Sequence, residues 1–184
     1  MTEWKTLSKK IILDCGKYLK VENHQIELPD GKIIENWPWV ITPDFVNVLA
    51  LNKEKKFVCF RQTKYAVKGT SLAPVGGHIE PNENPLLAAK RELLEETGYS
   101  SDEWVDLGNF ITEANRGGSR GFFYLGLNAE KIAEPDSDDL EEQELLLMSF
   151  EEIKQSVLNG EFKVLSWTSG VLLAIQYLEN NHFF

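Results

Sequence analysis

The stretch that decides how this chain reads is Gly77–Tyr99, GHIEPNENPLLAAKRELLEETGY. Asn84 and Pro85 predict the start of a helix. The Asn side chain can accept from first-turn N–H groups, and a proline at the first helical position gives up a donor that would have no partner. Gly98 predicts the stop, because a residue without Cβ enters the left-handed conformation at little cost. Between them, at roughly 100° per residue, Glu92, Glu95 and Glu96 fall within an arc of about 100°. Leu86, Ala89, Leu93 and Leu94 centre on the opposite side. One face can pack on a core while the other gathers carboxylates. Such like charges repel one another on a bare helix. Arg91, one turn before Glu95, offsets part of the repulsion. A hard cation such as Mg²⁺ offsets more, since it binds carboxylate oxygens and keeps waters beside a phosphate substrate. Without a cation the same pattern is a solvated acidic helix face.

Outward from the helix the spacing is Gly77, five residues, Glu83, seven residues, then Arg91-Glu92-Leu93-Leu94-Glu95-Glu96-Thr97-Gly98-Tyr99. This resembles the Nudix box, the signature of the Nudix hydrolases. Gly77, Glu83, Arg91, Glu92, Glu95, Glu96 and Gly98 all match it. At a usage of about 1 in 15 per residue, seven fixed positions coincide on the order of once in 10⁸ windows. Tyr99 stands where the family usually carries an aliphatic residue, at a position that reads as packing.

The bulk composition narrows the partners. With 184 residues the chain can form one full domain and a small appendage. Its formal net charge of −10 repels nucleic acid and anionic membranes at long range. It leaves room for a small phosphorylated substrate, because a dication and a few arginines reverse the field locally. Cys15 and Cys59 sit in apolar runs without metal-type spacing, and read as reduced core thiols. The start MTEWKTLSKK has no apolar targeting core, no run is long enough to span a bilayer, and Arg is absent from the first 40 residues. A cytoplasmic location is the expectation.

Taken in order, residues 9–15, 17–28 and 32–37 predict three strands, with a turn at Pro29-Asp30-Gly31. So small an antiparallel sheet cannot bury a core alone, and must pack on the main domain or on a second copy. Trp4, Trp37 and Trp39 in this region read either as packing or interface anchors or as a flat surface for a nucleobase. Residues 45–51 and 56–62 open the main sheet. Arg61 and Gln62 end the second of these strands, where Arg61 can hold a diphosphate bidentately or stand as an exposed edge charge. Lys64 and Lys68 are weaker phosphate candidates. Leu72–Gly77 then brings the backbone into the loop, where the Gly76 carbonyl could ligate a metal. His78 reads as structural rather than catalytic.

A strand at 104–112 is followed by Glu113–Gly121, a glycine-rich loop in which Arg116 could contact phosphate or simply accompany a hairpin turn. A strand follows at 122–127. Glu134–Glu144 is the most acidic run of the chain, a solvated loop by composition. After it come a strand at 145–150, a helix at 151–158 closed by Asn159-Gly160, and a final helix at about 167–180 capped by Ser166. The pattern is α+β.

The likeness extends beyond the box. The N-terminal strands with ELPDG, the Arg61-Gln62 pair and the GEF at Gly160–Phe162 resemble the ADP-ribose and nucleoside-diphosphate-sugar pyrophosphatase branch. That resemblance implies a Nudix α/β/α sandwich, a mixed β-sheet flanked by helices, with a small N-terminal antiparallel sheet. Residues 1–40 would be a dimerising β-strand region and 41–184 the hydrolase domain. It implies Glu92 and Glu96 as main Mg²⁺ ligands, with Mn²⁺ as a substitute, Glu95 assisting, and Gly76 offering its carbonyl. The catalytic base would come from the acidic loop, Glu141 first, with Glu142 and Glu144 as alternatives. Substrate would meet Arg61, Gln62, Arg116, Trp4 and Trp39. The implied reaction is Mg²⁺-dependent hydrolysis of a nucleoside diphosphate sugar, ADP-ribose foremost, by a homodimer that binds neither nucleic acid nor membrane. The alternatives are another nucleoside diphosphate derivative (a dinucleoside polyphosphate, NADH or a nucleoside triphosphate) and a non-catalytic nucleotide-binding Nudix module.

Overall fold

The computed structural model describes residues 2–136 and 142–184. In chain order the elements are β1 (Lys5–Asp14), β2 (Lys20–Glu27), β3 (Ile33–Ile41), β4 (Phe45–Asn52), β5 (Phe57–Thr63) and β6 (Thr70–Ala73). Next come α1 (Pro85–Thr97), β7 (Tyr99–Ser100), β8 (Glu103–Glu113), β9 (Gly117–Lys131) and β10 (Gln143–Met148). Two helices, α2 (Phe150–Leu158) and α3 (Leu165–Asn180), complete the order. They form two compact units. One is Met1–Asp44 with Phe110–Arg120, the other Phe45–Asn109 with Gly121–Phe184.

In the N-terminal unit β1, β2 and β3 form an antiparallel sheet. β3 continues past residue 37, through Pro38 to Ile41, because proline holds its neighbour extended and β2 pairs along the whole length. Every residue of β1 is exposed. Cys15, expected in a core, is exposed in the turn that follows. The expected loop Glu113–Gly121 is also shorter than its glycines suggest. A turn occupies residues 114–116, and β9 begins at Gly117, in parallel register with Val40 and Ile41. Gly117 has φ +81°, and an added Cβ there would strike the Val40 carbonyl and the Trp39 ring. The glycines thus serve close packing within strands rather than a free loop.

The larger unit is a sheet between two helical layers. β9 runs parallel to β4, β4 pairs antiparallel with β5, and β5 pairs antiparallel with both β6 and β10. On one face Val46, Val48, Ala50, Val58 and Phe60 meet Ala88, Ala89 and Leu93 of α1. On the other, Leu49, Leu51, Phe57 and Cys59 meet α2 and α3 through Ile153, Val171, Ala174 and Leu178. Alternate β4 side chains serve opposite layers, as a strand buried on both faces requires. This is the expected α/β/α sandwich. Tyr99 is buried in the α1 layer, the packing role its position suggested.

α1 begins and ends where its sequence predicts. Asn84 Oδ1 accepts from Leu86 N at 2.9 Å and Leu87 N at 3.4 Å. Gly98 adopts φ 74° and its N–H returns to Leu94 O at 2.8 Å. α2 carries a capping box at Ser149 and Glu152. α3 differs from expectation. It starts at Leu165 with Val164 at the N-cap, and Ser166 lies inside the first turn rather than before it.

Candidate active site

α1 does not bury the face its leucines describe. Leu94 is exposed, whereas Glu92 is only 9% exposed and lies in the buried stripe with Ala88, Ala89 and Leu93. The cause is Gly77. A Cβ built on it would land on the Glu92 carboxylate, so the loop can rest on the helix only because residue 77 has no side chain. Gly76 is equally confined, against the Val46 carbonyl.

Arg91 ties the arrangement together. Its Nε donates to Glu83 Oε1 and its Nη2 to Glu83 Oε2, both at 2.9 Å, a bidentate fork. Nη1 donates to Glu92 Oε1 at 2.8 Å and to Glu95 Oε2 at 3.1 Å, and Nη2 also donates to the His78 carbonyl at 3.2 Å. One guanidinium thus uses all five of its N–H groups and joins loop to helix. The fork holds the Glu83 carboxyl below its usual range, and the same bond raises the already high pKa of Arg91. Glu83 also accepts from Glu80 N at 2.9 Å, which closes the turn before Asn84. Glu96 Oε2 accepts from Gly76 N at 3.3 Å.

Around these groups lies a cleft of about 480 Å³. Gly76, Gly77, Arg91, Glu92, Glu95 and Glu96 line it from the loop and α1. Phe45, Val46, Asn47, Lys64, His78, Ser166 and Trp167 complete it. Of the expected metal-binding residues, Gly76, Glu92, Glu95 and Glu96 are therefore brought together. Among the described residues no three acidic, imidazole or thiol side chains already converge on one point. The carboxylates are turned instead toward Arg91 and the Gly76 amide. All the donors offered are oxygens, the chemistry a hard dication takes.

The other candidates lie elsewhere. Arg61 bonds Glu161 Oε2 at 3.3 Å and does not line the cleft, and Gln62 is buried within β5. Glu144 is the cross-strand neighbour of Arg61 on β10 and, like Glu142, is exposed. Glu141 lies outside the described residues. Arg116 is exposed in the turn between β8 and β9. Lys68 is exposed as well.

Trp4 and Trp39 belong to the N-terminal unit and line a separate cavity of about 400 Å³ there. Trp39 stacks on the buried His24 at 5.3 Å between ring centroids, and Trp4 stands edge-on to Trp37 at 5.6 Å. Trp37 Nε1 donates to the Asn115 carbonyl at 2.7 Å, and His24 Nε2 lies 2.8 Å from Glu22 Oε2.

Asn47 and Trp167 of the cleft were not singled out in the sequence. Asn47 interrupts the apolar run FVNVLAL, and that interruption was a usable signal. Trp167 had none, since its place depends on where α3 begins.

The NUDIX domain family profile matches residues 42–168. The chain is 29% identical over 181 residues to an ADP-ribose pyrophosphatase of Bacillus subtilis, covering 96% of this chain and 93% of that protein. It is 28% identical over 180 residues to a methanol dehydrogenase activator of Bacillus methanolicus, with the same coverages, 96% and 93%. Over 172 residues it is 24% identical to a CMP-5'-(N-acetyl-N-hydroxy-3-aminopropyl)phosphonate hydrolase of Streptomyces rubellomurinus, covering 94% and 82%. A solved structure described as an ADP compounds hydrolase superposes with a TM-score of 0.81 over 98% of this chain and 97% of that one. At 15% identity that likeness speaks for the fold alone.

Proposed function

Because the chain belongs to the Nudix hydrolase family, we propose that it hydrolyses the pyrophosphate bond of a nucleoside diphosphate sugar, ADP-ribose foremost, to AMP and ribose 5-phosphate. The observation that carries this reading is the cleft in which Arg91 holds Glu92 and Glu95 beside Glu96 and Gly76. The choice of substrate is supported by the Bacillus subtilis relative, an ADP-ribose pyrophosphatase matched over 93% of its length.

Nudix hydrolases generally need divalent cations. The all-oxygen donor set fits Mg²⁺, with Mn²⁺ as a substitute, and Glu92, Glu96, Glu95 and the Gly76 carbonyl would hold it. When bound, such an ion neutralises charge on the diphosphate and acidifies water. The protein's own residues do the rest. Arg91 fixes Glu92 and Glu95, and Glu83 fixes Arg91, so the carboxylates keep their places without help from solvent. A carboxylate of the acidic loop, Glu141 first and Glu142 or Glu144 next, takes the proton of the attacking water. The water oxygen bonds to one phosphorus as the bridging P–O bond breaks, and the bridging oxygen leaves with the second phosphate. Lys64, which lines the cleft, is the candidate for contact with the diphosphate, since Arg61, Gln62 and Arg116 do not line it. In the N-terminal unit the cavity of Trp4 and Trp39 offers a nucleobase an aromatic face.

Residues 1–40 serve dimerisation in this account. β1 exposes Leu7, Ile11, Ile12 and Leu13 along a sheet edge, and a second copy would cover them. Among the described residues no helix is long and apolar enough to cross a membrane.

The test is a substrate panel of ADP-ribose, other nucleoside diphosphate sugars, NADH and dinucleoside polyphosphates, with Mg²⁺ and again with chelator, and with the products identified. Mg²⁺-dependent release of AMP and ribose 5-phosphate, fastest from ADP-ribose, is the expected result. A faster reaction with another class moves the specificity, and no turnover on any compound overturns the reading. Gln replacements at Glu141, Glu142 and Glu144 locate the base, since one should lose most of kcat while cation binding persists.

A further inference from the structure

The cleft has a second wall that the Nudix box does not supply. Ser166 and Trp167, the second and third residues of α3, line it. α3 runs for 16 residues, and Val164 at its N-cap provides no side-chain bond. The leading N–H groups of a helix have no partner within it, and the helix dipole places roughly half a positive charge at that end. Asn84 and Ser149 cap α1 and α2, and neither of those residues lines the cleft, whereas Ser166 and Trp167 of the uncapped α3 end do.

A second, independent observation lies on β4. Asn47 lines the same cleft, is 3% exposed, and has its Nδ2 buried without a hydrogen-bond partner. Among the described residues it is the one buried side-chain polar atom in that state. Its Oδ1 lies on the Gly76 side, and its Cβ packs near Gly170 of α3. The neighbours on its strand face, Leu49 and Leu51, are core residues, so an apolar side chain would suit position 47 better for packing. An amide donor buried unpaired forfeits its bond to water and destabilises the fold. A donor kept at that cost beside a cleft is explained by an acceptor that arrives with a ligand.

We propose that Asn47 Nδ2, the first-turn amides of α3 and the Ser166 hydroxyl form an anion subsite for the non-bridging oxygens of a substrate phosphoryl group. The inference rests on reading the cleft as a diphosphate hydrolase site and deepens it. The carboxylates of α1 give the cleft one acidic wall, and the α3 end gives it an anion-binding one. A diphosphate accompanied by a cation presents both charges. Helix amides and a positive helix end select an anion over a neutral base, although either could accept from Asn47.

The subsite can be tested without metal and without turnover. Thermal unfolding is followed in chelator, with sodium phosphate compared against sodium chloride at equal ionic strength, and with adenosine as the neutral probe. Phosphate should raise the wild-type Tm in a saturable way, and chloride and adenosine should not. Asn47→Leu, which removes the unpaired donor, should be at least as stable alone and bind phosphate about tenfold more weakly. Ser166→Asp places a carboxylate where the helix end favours one, so it should fold normally and lose the phosphate response. A phosphate response equal to wild type in both variants overturns the subsite, as does a response to adenosine and not to phosphate. The substrate panel judges the hydrolase reading separately. Turnover of ADP-ribose with no loss of phosphate binding in Asn47→Leu would sink the subsite alone. Asn47-dependent phosphate binding without turnover of any panel compound would sink the hydrolase reading and leave the subsite standing.

Discussion

In the cleft on α1 the charged groups Arg91, Glu92 and Glu95 hold one another, whereas the cavity of the N-terminal unit is built by aromatic faces. Arg91 spends five N–H groups on Glu83, Glu92, Glu95 and the His78 carbonyl. Trp39 and Trp4 are placed by contact with His24 and Trp37, with one bond from the Trp37 indole and one between His24 and Glu22. The first arrangement fixes atoms within a few tenths of an ångström and suits chemistry. The second offers flat apolar area with little directional demand and suits recognition. Changes in the cleft should therefore lower kcat, and changes in the cavity should raise KM.

The sharpest break in that division comes from Glu96→Gln. Losing one anionic oxygen donor at a cation site forfeits several kcal/mol of transition-state stabilisation, so kcat should fall by about 10³. Steady-state kinetics with Mg²⁺ would measure it, and a residual rate near wild type would remove Glu96 from the site. Next is Arg91→Lys. An ammonium cannot make the fork to Glu83 while also reaching Glu92 and Glu95, so activity should drop by about 10–100-fold, as loss of a supporting partner does. Near-normal kcat in this variant would mean the carboxylates need no brace.

Trp39→Ala should leave kcat within about twofold and raise KM about tenfold, the scale of one lost stacking contact. Trp4, half exposed, should matter less. A kcat loss without a KM change would erase the distinction between the two regions.

The smallest effect is on pH dependence. The Arg91 fork lowers the folded pKa of Glu83 below the ordinary 4.5. Its stabilisation is therefore complete above that value and is lost as pH falls from 4.5 through the depressed folded value. In Glu83→Gln the acid limb of a Tm-against-pH curve should be shallower than in wild type. An unchanged slope would show that the fork does not contribute.

Much of this was legible along α1, because its determinants are local. Asn84, Pro85 and Gly98 act within one turn, and the spacing of Glu83, Arg91, Glu92, Glu95 and Glu96 is a property of one loop and one helix. The burial of Glu92 was not legible. Helical periodicity placed it with the exposed carboxylates, and the bare backbone of Gly77 pulls it inside. The glycines of Gly117–Gly121 looked like a loop because their partners, Val40, Trp39 and Phe45, are far away in sequence. Ser166 looked like a cap because its type suits one, but the chain turns helical one residue earlier, at Leu165. Cys15 looked buried because its run is apolar, yet β1 leaves that run exposed. For Glu92 and the glycines a contact distant in sequence overrode a local preference.

The acidic face of α1 is expected to hold a divalent cation. Titration of Mn²⁺ into the protein, with the free ion followed by electron paramagnetic resonance, tests it without substrate. Wild type should bind Mn²⁺ saturably and release it to excess Mg²⁺, and Glu92→Gln and Glu96→Gln should each weaken binding by at least about tenfold. Binding of equal strength in wild type and both variants would contradict the account.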